Sequence, residues 1–139
     1  VEKIVHVRFH YHIGSCLPLC RSIYGISSFS MSNIFDGTLE NFKELVDTKD
    51  KVIIVDFYAE WCGPCRGLST TIDAIALKYD NIMIIKVDVD KNGELGRNFP
   101  YNVKGIPQMF FIKNGEVKQK TIGIQTMEKI SSLIDPMLN

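Results

Sequence analysis

A chain of 139 residues is long enough for one buried core and too short to divide comfortably into two. Its 16 lysines and arginines balance its 16 aspartates and glutamates, which leaves no basic stripe for a phosphate backbone and argues against nucleic acid as a partner. Apolar runs such as Val52 to Val55 and Ile82 to Ile85 fall far short of the roughly 18 residues a bilayer span needs, so no membrane partner is expected.

Residues 1–30 differ from the rest. They carry all three histidines, several serines, Lys3, Arg8 and Arg21, and a single acid, Glu2. A basic, serine-bearing, acid-poor segment suits a mitochondrial transit peptide, but such a peptide should also be an amphipathic helix. Here Val5, Val7, Phe9, Tyr11 and Ile13 alternate with His6, Arg8, His10 and His12, which is strand periodicity. A removable transit segment, a strand-like extension and a piece translated upstream of Met31 all fit. Cys16 and Cys20 fall in this segment, as regulatory cysteines, as a second dithiol, or as cysteines peripheral to function. We take 1–30 as an appendage and 31–139 as the domain.

From Met31 onward strands and helices alternate. A short extended piece near Asn33 to Phe35 precedes a helix expected over about Thr38 to Thr48, with Leu39, Phe42, Leu45 and Val46 on its apolar face. Lys51 to Tyr58 is nearly continuous in β-branched and aromatic residues, the composition of a strand buried on both faces. A helix follows from about Cys62 to Tyr79, its stripe made by Leu68, Ile72, Ile75, Ala76 and Tyr79. Ile82 to Asp88 reads as a strand, a short helix runs through Glu94 and Phe99, and Gln108 to Lys113 is the next strand. Asn114-Gly115 is a hairpin signal, Glu116 to Gly123 returns antiparallel, and a last helix places Met127, Ile130, Ile134 and Leu138 inward. The class is α/β: a central mixed sheet of about five strands flanked by four helices.

Trp61-Cys62-Gly63-Pro64-Cys65 stands where the buried strand hands over to a helix. Free N–H groups and the positive end of the helix dipole favour an anion there, which lowers the pKa of Cys62 and raises its thiolate fraction. Two intervening residues set Cys65 on the same face, within reach of a disulfide. Pro64 loses no hydrogen bond in a first turn, and Gly63 permits close approach of a substrate. Two blander readings compete. Half of a zinc site would need Cys16, Cys20 or the extension's histidines as the other ligands, at irregular spacing. A purely structural bridge would close too short a loop to gain much. No metal is expected.

The block Val55-Asp56-Phe57-Tyr58-Ala59-Glu60-Trp61-Cys62-Gly63-Pro64-Cys65-Arg66 closely resembles the active site of the thioredoxin family. The resemblance continues through Lys86-Val87-Asp88-Val89-Asp90, Val103-Lys104-Gly105-Ile106-Pro107, the Lys113 to Glu116 turn and Gly123, over about residues 32 to 139. A lowered thiol pKa is a known property of that family's Cys-X-X-Cys pair, so there the resemblance restates the helix argument. It implies the thioredoxin fold and a protein-disulfide reductase, with Cys62 as nucleophile and Cys65 as resolving thiol. Asp56, desolvated in a buried strand, would accept the Cys65 proton, and Lys86 would temper its shift; a solvated strand-end lysine is the plainer alternative. Pro107 would be a cis-proline facing the sulfurs.

Trp61, Gly63, Pro64, Ile106, Pro107 and Gly123 would line a shallow apolar groove for many clients, although Gly123 fits a packing glycine equally well. The resemblance further implies no bound cofactor beyond the redox-active disulfide. Electrons would come from NADPH through a thioredoxin reductase, and the protein would be a monomer in the cytoplasm or mitochondrion. Thr70 stands where the family often has a helix-kinking proline, Gly67 replaces a commonly bulkier residue, and Tyr58 and Gln108 also vary on the pattern. An oxidase or isomerase of the disulfide isomerase type usually has a histidine between the cysteines, so Gly63-Pro64 favours the reducing member. A non-enzymatic binding module of the same fold is the other rival.

Overall fold

The β-branched run Val52–Tyr58 is the middle strand of a five-stranded sheet in the computed structural model, which describes residues 33–98 and 100–139. The strands are β1 (Ile34–Asp36), β2 (Val52–Tyr58), β3 (Ile82–Asp88), β4 (Gln108–Lys113) and β5 (Glu116–Ile122), in spatial order β1-β3-β2-β4-β5. β1 and β2 run parallel to β3, β4 is antiparallel to β2, and β5 is antiparallel to β4. The helices among the described residues are α1 (Phe42–Val46), α2 (Gly63–Lys78), α3 (Gly93–Arg97) and α4 (Met127–Leu138). The expected class, strand number and helix number therefore hold. The extension of residues 1–30, with Cys16 and Cys20, lies outside the described residues.

Strand alternation sorts the core into two layers. Val52 and Ile54 join Ile82, Ile84, Met109 and Phe111 beneath Leu68, Ile72 and Ile75 of α2 and Ile130 and Ile134 of α4. Ile53, Val55 and Phe57 join Ile85, Val87, Phe110 and Ile112 on the opposite face with Phe42 of α1. Tyr101 packs into this second layer, its ring centroid 5.0 to 5.5 Å from those of Phe42, Phe57 and Phe110. Each fully buried large side chain contributes about 1.5–3 kcal/mol, so β2, buried on both faces, is held hardest. The same alternation puts Asp56 and Tyr58 of β2, and Lys86 of β3, on the α2 side at the end of the sheet where α2 begins.

Two helices are shorter than their sequence suggests. The helix expected from Thr38 to Thr48 is only Phe42–Val46. Ahead of it the Thr38 N–H donates to Asn41 Oδ1 (2.7 Å) and the Asn41 N–H donates to Thr38 Oγ1 (3.3 Å). The two bonds form a reciprocal capping pair, and the Phe42 N–H donates to the Thr38 carbonyl (3.0 Å), but regular helix begins only at Phe42 and leaves Leu39 49% exposed rather than on the apolar face. α3 ends at Arg97, because Asn98 is already extended (φ −85°, ψ 148°) and two glycines within five residues weaken the helix; Phe99, the expected end of the helix, lies outside the described residues. At the β4–β5 hairpin Asn114 (φ 51°) and Gly115 (φ 83°) are both left-handed, the geometry that favours Asn-Gly.

α2 is continuous through the sites of departure from the family pattern. Thr70 Oγ1 donates to the Gly67 carbonyl (3.1 Å), and a Cβ on Gly67 would meet only Ile124 Cδ1, at an ordinary 3.5 Å. Packing therefore does not require this glycine. Gly67→Ala should stabilise the protein by about 1 kcal/mol, read as a higher denaturation midpoint at unchanged slope.

Candidate active site

β2 ends at Tyr58, and the chain turns through Ala59, whose carbonyl accepts the Cys62 N–H (3.2 Å). Cys62 is the N-cap of α2, in extended conformation (φ −84°, ψ 113°), and Pro64 occupies the first turn. The Cys62 Sγ accepts the Cys65 N–H at 3.2 Å. A sulfur in that position stands in for the oxygen of an ordinary N-cap, at the positive end of the helix, where a thiolate is favoured. Cys62 and Cys65 are joined as a disulfide with Cα atoms 5.3 Å apart, so the expected pair is formed.

The cysteines lie flush with the surface rather than standing out from it. Cys62 is 5% exposed and packs with Cys65, Ala59, Tyr58, Val89 and Ile106, while neighbouring Trp61 is 68% exposed. Gly63 and Pro64 are exposed as well, and no atom stands within 4 Å of a Cβ built on Gly63. The Trp61 Nε1–H donates to Asp90 Oδ2 (2.8 Å), which ties the indole to the loop after β3. Pro107 follows a cis peptide bond from Ile106, and its carbonyl accepts the Gly123 N–H (2.8 Å). Gly123 has φ 83° and nothing within 4 Å of a Cβ. Backbone conformation, not packing, is what calls for glycine there.

Asp56, on the face of β2 that α2 covers, is 2% exposed, and its Oδ1 has no hydrogen-bond partner. Burial pushes its pKa up to about 7, with Lys86 pulling the other way. Lys86 is no solvated strand-end lysine: it is half-buried, donates to Ser69 Oγ (3.3 Å) and stands 4.8 Å over the Tyr58 ring. Gln108, another departure from the family pattern, is buried and accepts the Lys104 N–H (3.1 Å), which fastens the loop leading to Pro107.

Sequence reasoning missed Ser69 and Asp90. Ser69 had a usable signal, since it stands four residues after Cys65 on the same helix face; the bond from Trp61 to Asp90 spans 29 residues and had none. Among the described residues no group of three His, Cys, Asp or Glu side chains gathers as a metal ion would require, and no helix is long and apolar enough to cross a membrane. A concavity of about 450 Å³ between the β4–β5 hairpin and α4 includes Lys113, Lys118 and Met137 but neither cysteine.

A dithiol that closes on itself within one helical turn can pass two electrons to another disulfide and take them back, so fold and site together define a thiol–disulfide oxidoreductase. The family model described as Thioredoxin matches residues 33–136. The chain belongs to the thioredoxin family, and its activity is protein-disulfide reduction. It is 36% identical to a thioredoxin of Chlorobaculum thiosulfatiphilum over 102 residues, 73% of this chain and 93% of that protein. It is 31% identical to the mitochondrial thioredoxin of Bos taurus over 120 residues, 85% of this chain and 70% of that protein. A solved structure of the reduced thioredoxin pre-protein of Schistosoma mansoni superposes with a TM-score of 0.66 at 33% identity, covering 76% of this chain and 98% of that one.

Proposed function

We propose that Cys62 is the attacking sulfur and Cys65 the resolving one. The Cys62 thiolate attacks a client disulfide; the client S–S bond breaks, a mixed disulfide forms, and the departing client thiolate takes a proton from water. Asp56, as carboxylate, accepts the Cys65 proton. The Cys65 thiolate then attacks Cys62 Sγ, the mixed disulfide breaks, and the second client sulfur leaves as a thiolate that is protonated in turn. Two electrons have moved to the client, and Cys62–Cys65 is the oxidised product. The observation that carries this assignment is the Cys65 N–H bonded to Cys62 Sγ at the head of α2. It gives Cys62, and not Cys65, the stabilised thiolate.

Trp61, Gly63, Pro64, Ile106, Pro107 and Gly123 form the client groove, whose shallowness suits many clients held weakly. Reducing equivalents come from NADPH through a flavoprotein thioredoxin reductase, and the protein works as a monomer in a reducing intracellular compartment. The kinship with a mitochondrial thioredoxin and the basic, acid-poor composition of residues 1–30 favour the mitochondrion, with 31–139 as the catalytic domain. Cys65→Ser tests the order of events. It should accumulate a mixed disulfide with an oxidised client, seen as a reducible mass adduct on Cys62. Accumulation in Cys62→Ser but not in Cys65→Ser would reverse the assignment.

A further inference from the structure

Asp36, Lys86 and Asp56 are register partners across β1, β3 and β2, and alternation turns all three toward the α2 side of the sheet. A lysine between two carboxylates would ordinarily pair with one. Lys86 pairs with neither: its Nζ donates to Ser69 Oγ on α2 and sits over the Tyr58 ring, while Asp56 Oδ1 stays without a hydrogen-bond partner. The ammonium is within electrostatic range of Asp56 yet bonded elsewhere.

We propose that Ser69 and Tyr58 form a cradle that holds the Lys86 ammonium beside Asp56 without pairing it to Asp56, which makes both of them positioning residues for the proton transfer that frees Cys65. The proposal rests on the reading of Asp56 as proton acceptor. A direct ion pair would keep Asp56 ionised well below neutrality and make it a weak acceptor for a thiol proton. A lysine turned out to solvent would leave the buried acid unwilling to ionise at all. A proton acceptor works best with a pKa near the working pH, and because Coulomb attraction scales inversely with distance, holding the cation off the carboxylate selects the middle course.

The charged and titratable groups around the cradle are Tyr58 on β2, Asp88 at the end of β3, Asp36 on β1, Glu60 before the cysteines, and Cys65 on α2. β4 opposes Asp56 with uncharged Met109. Burial first, then the charges of Asp88, Asp36, Glu60 and Asp56, raise the pKa of the Tyr58 hydroxyl, so the ring stays neutral and offers Lys86 its π face.

The test follows the Asp56 carboxyl by carbon NMR titration in the reduced full chain, together with the pH profile of disulfide reduction. In Ser69→Ala, a substitution that favours helix, the freed ammonium should turn to the unpartnered Asp56 oxygen. The Asp56 midpoint should then fall by about half a unit or more, and the acidic limb of the rate profile should move with it. Ser69→Thr keeps the hydroxyl and should retain the parental midpoint. An unmoved or raised midpoint in Ser69→Ala, or a Ser69→Thr midpoint shifted like alanine's, overturns the cradle while leaving Asp56 its role. A rate profile unchanged in Asp56→Asn overturns the role of Asp56 and the cradle with it.

Discussion

Replacing Cys62 with serine should lower the rate of disulfide reduction by at least about a thousandfold while leaving the fold intact. The two halves of this expectation have separate causes. Structurally, the Sγ of Cys62 is the N-cap acceptor for the Cys65 N–H, and a serine hydroxyl fills that place at least as well. The closed loop of the disulfide spans a sequence separation of only 3, so little loop entropy is lost with it. Chemically, the helix head can stabilise a thiolate, but it cannot ionise a serine hydroxyl at neutral pH. Among the described residues no histidine or other base is hydrogen-bonded to this position to do so in its place. An insulin-reduction assay beside a thermal melt separates the two halves. Equal turnover in parent and variant, both folded, would favour a binding module of this fold over an enzyme.

What the sequence made legible follows physical range. β3 and β4 run as expected because their apolar blocks are buried on both faces and bounded by turn residues. The hairpin was legible because Asn114 and Gly115 are the residues that tolerate left-handed backbone. Cys62, Cys65 and Asp56 were legible because strand and helix periods fix where residues a few positions apart must point, whereas Lys86, 30 residues from Asp56, was legible only through the family resemblance. The misreadings begin at element ends. Thr38 and Asn41 pair in a capped turn ahead of α1, so regular helix starts only at Phe42 and Leu39 is left exposed, which the apolar spacing of Leu39, Phe42 and Val46 does not reveal. They continue where partners are distant in sequence, as with Trp61 and Asp90, or Lys86 and Ser69 on different elements. Gly123 shows a further limit: composition could not separate a packing glycine from one needed for backbone shape, and a φ of 83° with open space around it does.

The Asp56→Asn variant should be more stable than its parent above pH 7 and slower as a reductant. Asp56 has an ordinary value of 3.8 in the unfolded chain, and burial raises it to about 7 in the folded protein. Below about pH 4 both states hold the proton and the group favours the folded state fully. Between pH 4 and 7 only the folded protein keeps it, so the parent loses stability as pH rises, at up to about 1.4 kcal/mol per unit. Above pH 7 the loss is complete, on the order of 4 kcal/mol, because a carboxylate with an unpartnered oxygen is then shut in an apolar layer. Asparagine resembles the protonated acid in shape and carries no charge to bury. The variant should therefore be up to about 2 kcal/mol less stable than the parent near pH 4, the cost of the amide's own unmet hydrogen bonds, and about 2–4 kcal/mol more stable at pH 8. Reduction should slow on the order of tenfold or more at neutral pH if, as proposed, Asp56 is the acceptor of the Cys65 proton. Urea denaturation from pH 4 to 8 reads the first effect and client turnover the second. A parent whose midpoint stays level between pH 5 and 7 would show that Asp56 ionises as freely inside the fold as outside it. The protein thus keeps a group that weakens it above pH 7, a cost offset in function if, as proposed, Asp56 accepts the Cys65 proton.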